Sequence, residues 1–178
     1  RDMSLPHFFL REQVLAFESA PVFALHLDAD DMKHAKVLRL AVGEHIAVVD
    51  AVSDYFECEV VSFEGDELSV SIAQKLSSCA RPEVVLVQGL AKGEKMDTIV
   101  RHATEVGIAE FVPMTTSRSV VKLDAKKSKA RFERWASIAK SAAMQSGRSS
   151  KPVVHAPCSV AGAVDIAKDC DAVLICWE

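Results

Sequence analysis

Two short apolar runs, 84–90 and 108–114, flank a stretch whose apolar residues recur at helical spacing, and this pattern constrains the fold more than any other. The first run, Val84 to Leu90, carries one polar residue, Gln88. Beyond the turn Ala91-Lys92-Gly93-Glu94, residues Met96, Ile99, Val100 and Ala103 stand at i, i+3, i+4 and i+7, which is one face of a helix. Gly107 ends that helix, because glycine takes the left-handed C′ conformation without a Cβ penalty. Strand, helix and strand in about thirty residues predict a βαβ unit with parallel strands. In open α/β sheets, ligands sit beyond the carboxyl ends of the strands. Here those ends carry Lys92 and Lys95 after the first strand, and Ser117 and Arg118 after the second.

Upstream the grammar is different. His7–Leu10, Val22–Leu27, His45–Asp50, Tyr55–Phe63 and Glu67–Ala73 read as short strands, the last alternating Leu68, Val70, Ile72 against Glu67, Ser69, Ser71. Residues 28–40 interrupt them with a short helix capped by Asp28. Turns fall at Gly43 and at Gly65-Asp66. This spacing predicts a small β-barrel over residues 1–75. A linker without apolar periodicity follows at 76–83, and an α/β domain with a mostly parallel sheet occupies 84–178. Within that domain, Phe132, Trp135, Ala136, Ala139, Ala142 and Ala143 mark a helix over 126–146 that Gly147 closes, with Phe132 and Trp135 as core anchors. Residues 152–156 form a short strand, Ser159 caps a helix to Lys168 with Val160, Ala163, Val164 and Ala167 on one face, and Ala172–Trp177 reads as a buried strand. A sheet whose last strand ends the chain at Glu178 with no covering helix reads as C-terminally incomplete.

Charge narrows the function. The chain has net charge −4, yet residues 122–151 hold nine Lys/Arg against two acids, a local +7. A basic segment on an acidic chain fits either a polyanion site or a solvated lysine-rich face. No apolar run approaches the roughly 20 residues that span a bilayer. The five cysteines, 58, 79, 158, 170 and 176, are scattered without CxxC. They are expected to be reduced and mostly buried in a cytoplasmic protein, without a zinc site. Dinucleotide, P-loop and nucleophile-elbow motifs are absent. His34, His45 and His102 lie far apart and read as surface or structural histidines. By itself this reading gives a two-domain cytoplasmic protein with a basic face near strand ends and names no reaction; a generic α/β enzyme with a small-molecule substrate stays open.

The string Gly89-Leu-Ala-Lys92-Gly93-Glu94-Lys95-Met96, then Ala103-Thr104-Glu105-Val106-Gly107-Ile108, Pro113 and Ser117-Arg118-Ser119-Val120, resembles the RsmE family of 16S rRNA uridine N3-methyltransferases, of the SPOUT (trefoil-knot) class. Arg134-Trp135, Ile138-Ala139, Ala142-Ala143, Gln145-Ser146-Gly147-Arg148 and Pro152 match its next block in order and spacing. His34 with Val37-Leu38-Arg39 and Gly43 looks like the family's PUA-like N-terminal domain. The likeness runs along essentially the whole chain. Met144 stands where the family usually carries an acid, and Ala51 where a glycine is common. The family's Gly-Pro-Glu-Gly-Gly loop and Arg-x-Glu-Thr-Ala segment, which build its cofactor site, are not in these 178 residues.

The resemblance implies S-adenosylmethionine as cofactor, with its site expected beyond Glu178, and a whole protein active where this stretch alone is not. It implies a homodimer acting on 16S rRNA or the small ribosomal subunit, with no metal and no membrane. A degenerate, RNA-binding paralogue is the alternative. Methylation at uracil N3 requires loss of its proton or stabilisation of the anion, which Lys or Arg near the base provides. Lys92, Lys95, Arg118 and Arg148 suit that role or phosphate contact. His34, Arg39 and Gln145 join Lys92, Lys95 and Arg148 as the expected RNA-binding set. Glu105 and Arg118 are the expected catalytic pair. Glu105 would serve as a base or would hold a basic side chain, and an ion-paired carboxylate is a poor base.

Overall fold

The structure, a computed structural model, describes residues 5–77, 82–117, 119 and 124–176. The chain divides into two units, Arg1–Arg81 with Ala143–Ser150, and Pro82–Ala142 with Lys151–Glu178. A boundary near residue 80 was expected; the return of 143–150 to the first unit was not. Ala143 and the half-buried Met144 pack there against Phe9, Val49 and Tyr55. An apolar Met144 suits that apolar setting, where a carboxylate would lose its hydration.

The first unit holds β1 (His7–Phe9), a 3-10 turn (Leu15–Phe17), β2 (Phe23–Ala24), α1 (Ala29–Leu38), β3 (His45–Val49), β4 (Tyr55–Glu64) and β5 (Glu67–Leu76). They form one sheet in the order β1-β3-β4-β5-β2, with β1 parallel to β3 and the other pairs antiparallel. Among the described residues no pairing of β1 with β2 closes the sheet, so the expected barrel is an open sheet. The end strands are too short to carry a closing ladder, β2 having two residues and β1 three. Asp28 caps α1 as expected, accepting from Asp31 N at 2.8 Å. Phe56, Cys58 and Val60 of β4 face Leu68 and Val70 of β5 in the core. The alternation fails at Ile72, which is 38% exposed. The register slips there, Cys58 pairing Ile72 while Glu57 pairs Gln74, so Ala73 is left over as a bulge and the strand bends. Beyond the bulge β5 runs on to Leu76, past the strand's expected end at Ala73.

One buried contact in this unit makes stability depend on pH. His7 Nδ1–H donates to the Leu5 carbonyl at 2.7 Å, and Nε2 accepts from the Tyr55 hydroxyl at 2.8 Å. Burial lowers the pKa of this ring below the ordinary imidazole value. The unfolded chain takes up a proton below about pH 6.5 that folded His7 refuses, so stability is full above that pH and falls beneath it. The urea midpoint is expected to drop between about pH 7.5 and about pH 5.5, and less so in His7→Gln. Equal drops in the two proteins would exclude His7 as the cause.

The second unit holds β6 (Val85–Gly89), α2 (Lys95–Val106), β7 (Glu110–Thr115), most of α3 (Ala125–Gln145), β8 (Val153–Val154), β9 (Cys158–Ser159) and α4 (Val160–Ala167). Among the described residues every strand pair here is parallel: β6 with β7, and β7 with the short segments β8 and β9. The βαβ reading thus stands, and Gly107 ends α2 at φ 110° as its position requires. Leu90, Met96, Val100, Ala103, Ile108, Phe111, Trp135 and Ala139 form the core. The buried face of α2 is rotated from the expected one: Asp97 and Thr104 lie inside, while Ile99 is half-buried. Ser159 caps α4 by accepting from Gly162 N at 3.2 Å, but Val160 and Val164 are exposed and Ala163 is its buried residue.

Two further expectations fail. Residues 172–176 form no strand among the described residues, and Val173, Leu174 and Ile175 are exposed, Leu174 at 92%. Apolar composition makes a run suited to burial, but only a lateral partner makes it a buried strand. The cysteines are not mostly buried either. Of the four described, all free, only Cys58 is buried, and burial pushes its thiol up to about 12; Cys158 and Cys170 are half-buried and Cys176 is exposed.

Candidate functional site

The register of β6 on β7 builds the site. Gly89 pairs with Met114, and Leu90 N donates to Met114 O at 2.9 Å, so the two strands end side by side. Lys92 and Lys95, both exposed, follow the first end. After the second, Thr116 and Ser119 close a turn: Thr116 N donates to Ser119 Oγ at 2.9 Å and Ser119 N to Thr116 O at 3.0 Å. Ser117 is exposed in this turn. Arg118 lies outside the described residues, as does Lys122 at the start of the basic segment.

At this same end α2 begins, and its first turn carries a residue that sequence reasoning passed over. Asp97 is buried, its side chain 9% exposed. Its Oδ2 accepts from Arg134 Nε at 2.8 Å and from Nη2 at 2.6 Å, and its Oδ1 accepts from Trp135 Nε1 at 3.1 Å. One carboxylate thus ties α2 to α3 and satisfies the indole N–H of a core tryptophan. Asp97, by hydrogen bonding and then by its charge, raises the pKa of Arg134, and the charge of Glu94 adds to this. The available signal was an acid standing at i−3 and i−7 from the buried Val100 and Thr104, inside an otherwise apolar stripe.

Glu105 lies elsewhere. It sits ten residues beyond Lys95, about 15 Å along the axis of α2, and its Oε2 is 2.9 Å from Nδ1 of His102. The described part of the basic segment runs along α3, where Lys126, Lys127, Lys129 and Arg134 are exposed and Arg131 is half-buried. Asp124 caps this helix, accepting from Lys127 N at 2.8 Å, and that bond holds its carboxyl below the usual range.

The remaining expected residues belong to the first unit. His34 is exposed on α1, its ring centroid 5.8 Å from that of buried Phe8. Arg39 is exposed just after α1 and holds the left-handed backbone φ 54°, ψ 45°. Gln145 is exposed, and the half-buried Arg148 donates its backbone N–H to Ala143 O at 3.0 Å. The geometry therefore gathers Lys92, Lys95 and Arg134 at one strand-end region of the second unit, and it places His34, Arg39, Gln145 and Arg148 in the first. Among the described residues no group of three or more His, Cys, Asp or Glu has the arrangement of a metal site. No helix there is long and apolar enough to cross a membrane.

Comparison with known proteins bears on this arrangement. A family model described as an RNA methyltransferase domain matches residues 79–178. Ribosomal RNA small subunit methyltransferase E of Bacillus subtilis is 30% identical over 177 residues, which are 98% of this chain and 68% of that protein. The protein of the same name from Aquifex aeolicus is 35% identical over 126 residues, 70% of this chain and 54% of its own length. A Legionella pneumophila protein solved in complex with bound SAM superposes with a TM-score of 0.75 at 25% identity, covering 92% of this chain and 67% of that one. The chain thus spans about two thirds of the first relative and about half of the second.

Proposed function

The chain belongs to the RNA methyltransferase domain family, beside the small-subunit methyltransferase E proteins, and on that premise we propose that the whole protein methylates ribosomal RNA of the small subunit at N3 of a uridine. The observation that carries the RNA side is the paired ending of β6 and β7, which sets exposed Lys92 and Lys95 beside the start of α2. Uracil N3 keeps its proton at neutral pH, so the reaction must move that proton to a base or to water and stabilise the anion left behind. Lysine or arginine beside the base does the latter, and the same side chains hold phosphate. Lys92 and Lys95 take these roles in the second unit, joined by Arg118 on sequence grounds. His34, Arg39, Gln145 and Arg148 contact RNA from the first unit, which serves as a PUA-like platform. Glu105, already engaged with His102, takes the ion-pairing role rather than that of the base.

S-adenosylmethionine supplies the methyl group in this reading, as the family resemblance implies. The described residues do not themselves fit an adenosyl group. The polar side chains at the strand ends are exposed or half-exposed, and no buried side-chain nitrogen or oxygen is left without a partner. The proposal accordingly concerns the whole protein, acting as a homodimer. Its test is transfer of radiolabelled methyl from S-adenosylmethionine to unmodified small subunits and to free 16S rRNA. Label recovered as N3-methyluridine after digestion is the expected result. Label on another base would overturn the assignment to N3. RNA binding without any transfer would overturn the enzymatic reading in favour of a non-catalytic RNA-binding module.

A further inference from the structure

We propose that Arg134 contacts RNA phosphate and that Asp97 is its positioning residue, holding one edge of the guanidinium so that the other faces the ligand. The inference rests on the RNA reading above and adds Arg134, which the sequence offered only as part of a motif match, together with Asp97, which it did not single out. Nε and Nη2 of Arg134 both donate to Asp97 Oδ2, and Trp135 Nε1 holds the same carboxylate by its other oxygen. The carboxylate is thereby fixed by a buried indole and cannot follow a moving arginine. Yet the Arg134 side chain is 57% exposed, and among the described residues nothing accepts from Nη1. A guanidinium has five N–H donors in a rigid fork, so the edge turned from Asp97 is free for the two-pronged grip that phosphate favours.

A helix staple alone does not account for this geometry. The Arg134 end of the pair lies largely in solvent, and Trp135 already satisfies one oxygen of Asp97 without Arg134. What the pair does supply is preorganisation, since a long side chain held before the ligand arrives loses less freedom on binding. The neighbours of Arg134 agree. Lys127, Arg131 and Arg134 stand at i, i+4 and i+7 of α3 and so share one helix face. Glu94, at the start of α2, is the other acid whose charge acts on Arg134, and it is exposed.

The experiment is anisotropy of a fluorescein-labelled RNA hairpin with the full chain, titrated across a range of salt. Arg134→Gln is expected to weaken binding about tenfold at low salt and to reduce the slope of log K against log salt by about 0.7–0.9. Arg134→Lys should keep the slope and lose part of the affinity, because the charge survives and the fork does not. Asp97→Asn separates positioning from bulk electrostatics by sign. It makes the protein one charge more positive, so electrostatics alone would tighten binding, whereas loss of positioning weakens it. Arg134→Gln with wild-type slope and affinity overturns the proposal, as does an Asp97→Asn protein that is folded and binds as tightly as wild type. If Asp97→Asn does not fold, the two arginine variants decide. Absence of RNA binding by the unaltered protein overturns this proposal and the RNA reading together, while normal wild-type binding with an indifferent Arg134 overturns this one alone.

Discussion

Trp135→Ala is expected to destabilise the second unit by about 3–5 kcal/mol, the cost of emptying the site of a fully buried aromatic. Trp135 is 1% exposed and packs in one cluster with Met96, Val100, Phe111 and Ala139. Its indole N–H also gives Asp97 one of its three donors, so truncation leaves that buried carboxylate with Arg134 alone. Trp135→Phe should keep much of the volume and cost less, roughly 1–3 kcal/mol for the lost hydrogen bond and residual void. Urea unfolding followed by far-UV circular dichroism measures both. A loss under about 1 kcal/mol for the alanine variant would mean that Trp135 does not organise this core.

Reversing three charges on α3, Lys126→Glu, Lys127→Glu and Arg131→Glu, is expected to weaken RNA binding by about a hundredfold or more and to lower the salt slope by about 2–3. Folding should move the other way. Lys126 and Lys127 lie in the first turn of the helix, where the macrodipole favours negative charge, so acids there stabilise α3 by about 0.3–1 kcal/mol each. The Lys127 side chain lies 3.3 Å from Asp124 Oδ2, an exposed pair whose loss costs little. A protein that melts no lower and yet loses RNA would assign the basic stripe to binding. RNA affinity unchanged by the triple reversal would favour a small-molecule substrate, with the lysines merely a solvated face.

Much of the second unit was legible because its signals are local. The Gly107 stop and the parallel strands around α2 follow from residues within a few positions of one another, whereas the buried face of α2 is turned from the one its spacing predicts so as to include Asp97 and Thr104. The Asp28 and Ser159 caps are equally short-range, each side chain accepting from an N–H three residues on. The first unit was legible as strands but not as a closed or open sheet, because closure depends on whether its end strands meet. The bulge that turns out Ile72 had no mark in an alternating sequence. Among the site residues, the exposed positions of Lys92 and Lys95 agree with their polar turn, but Asp97 looked like one more polar residue on a helix. Its role became visible only when α3 placed Arg134 and Trp135 against it.

By itself the sequence determined periodicity, caps, turns and the identity of the family, since each is written in neighbouring residues or in the order of motifs. Tertiary structure decided the partners. It joined Asp97 to Arg134 across 37 positions, returned 143–150 to the first unit, and left 172–176 exposed despite its apolar composition. The physical reason is range. Backbone sterics and helical spacing act over a few residues, whereas burial and ion pairing depend on which distant segment the chain path brings alongside.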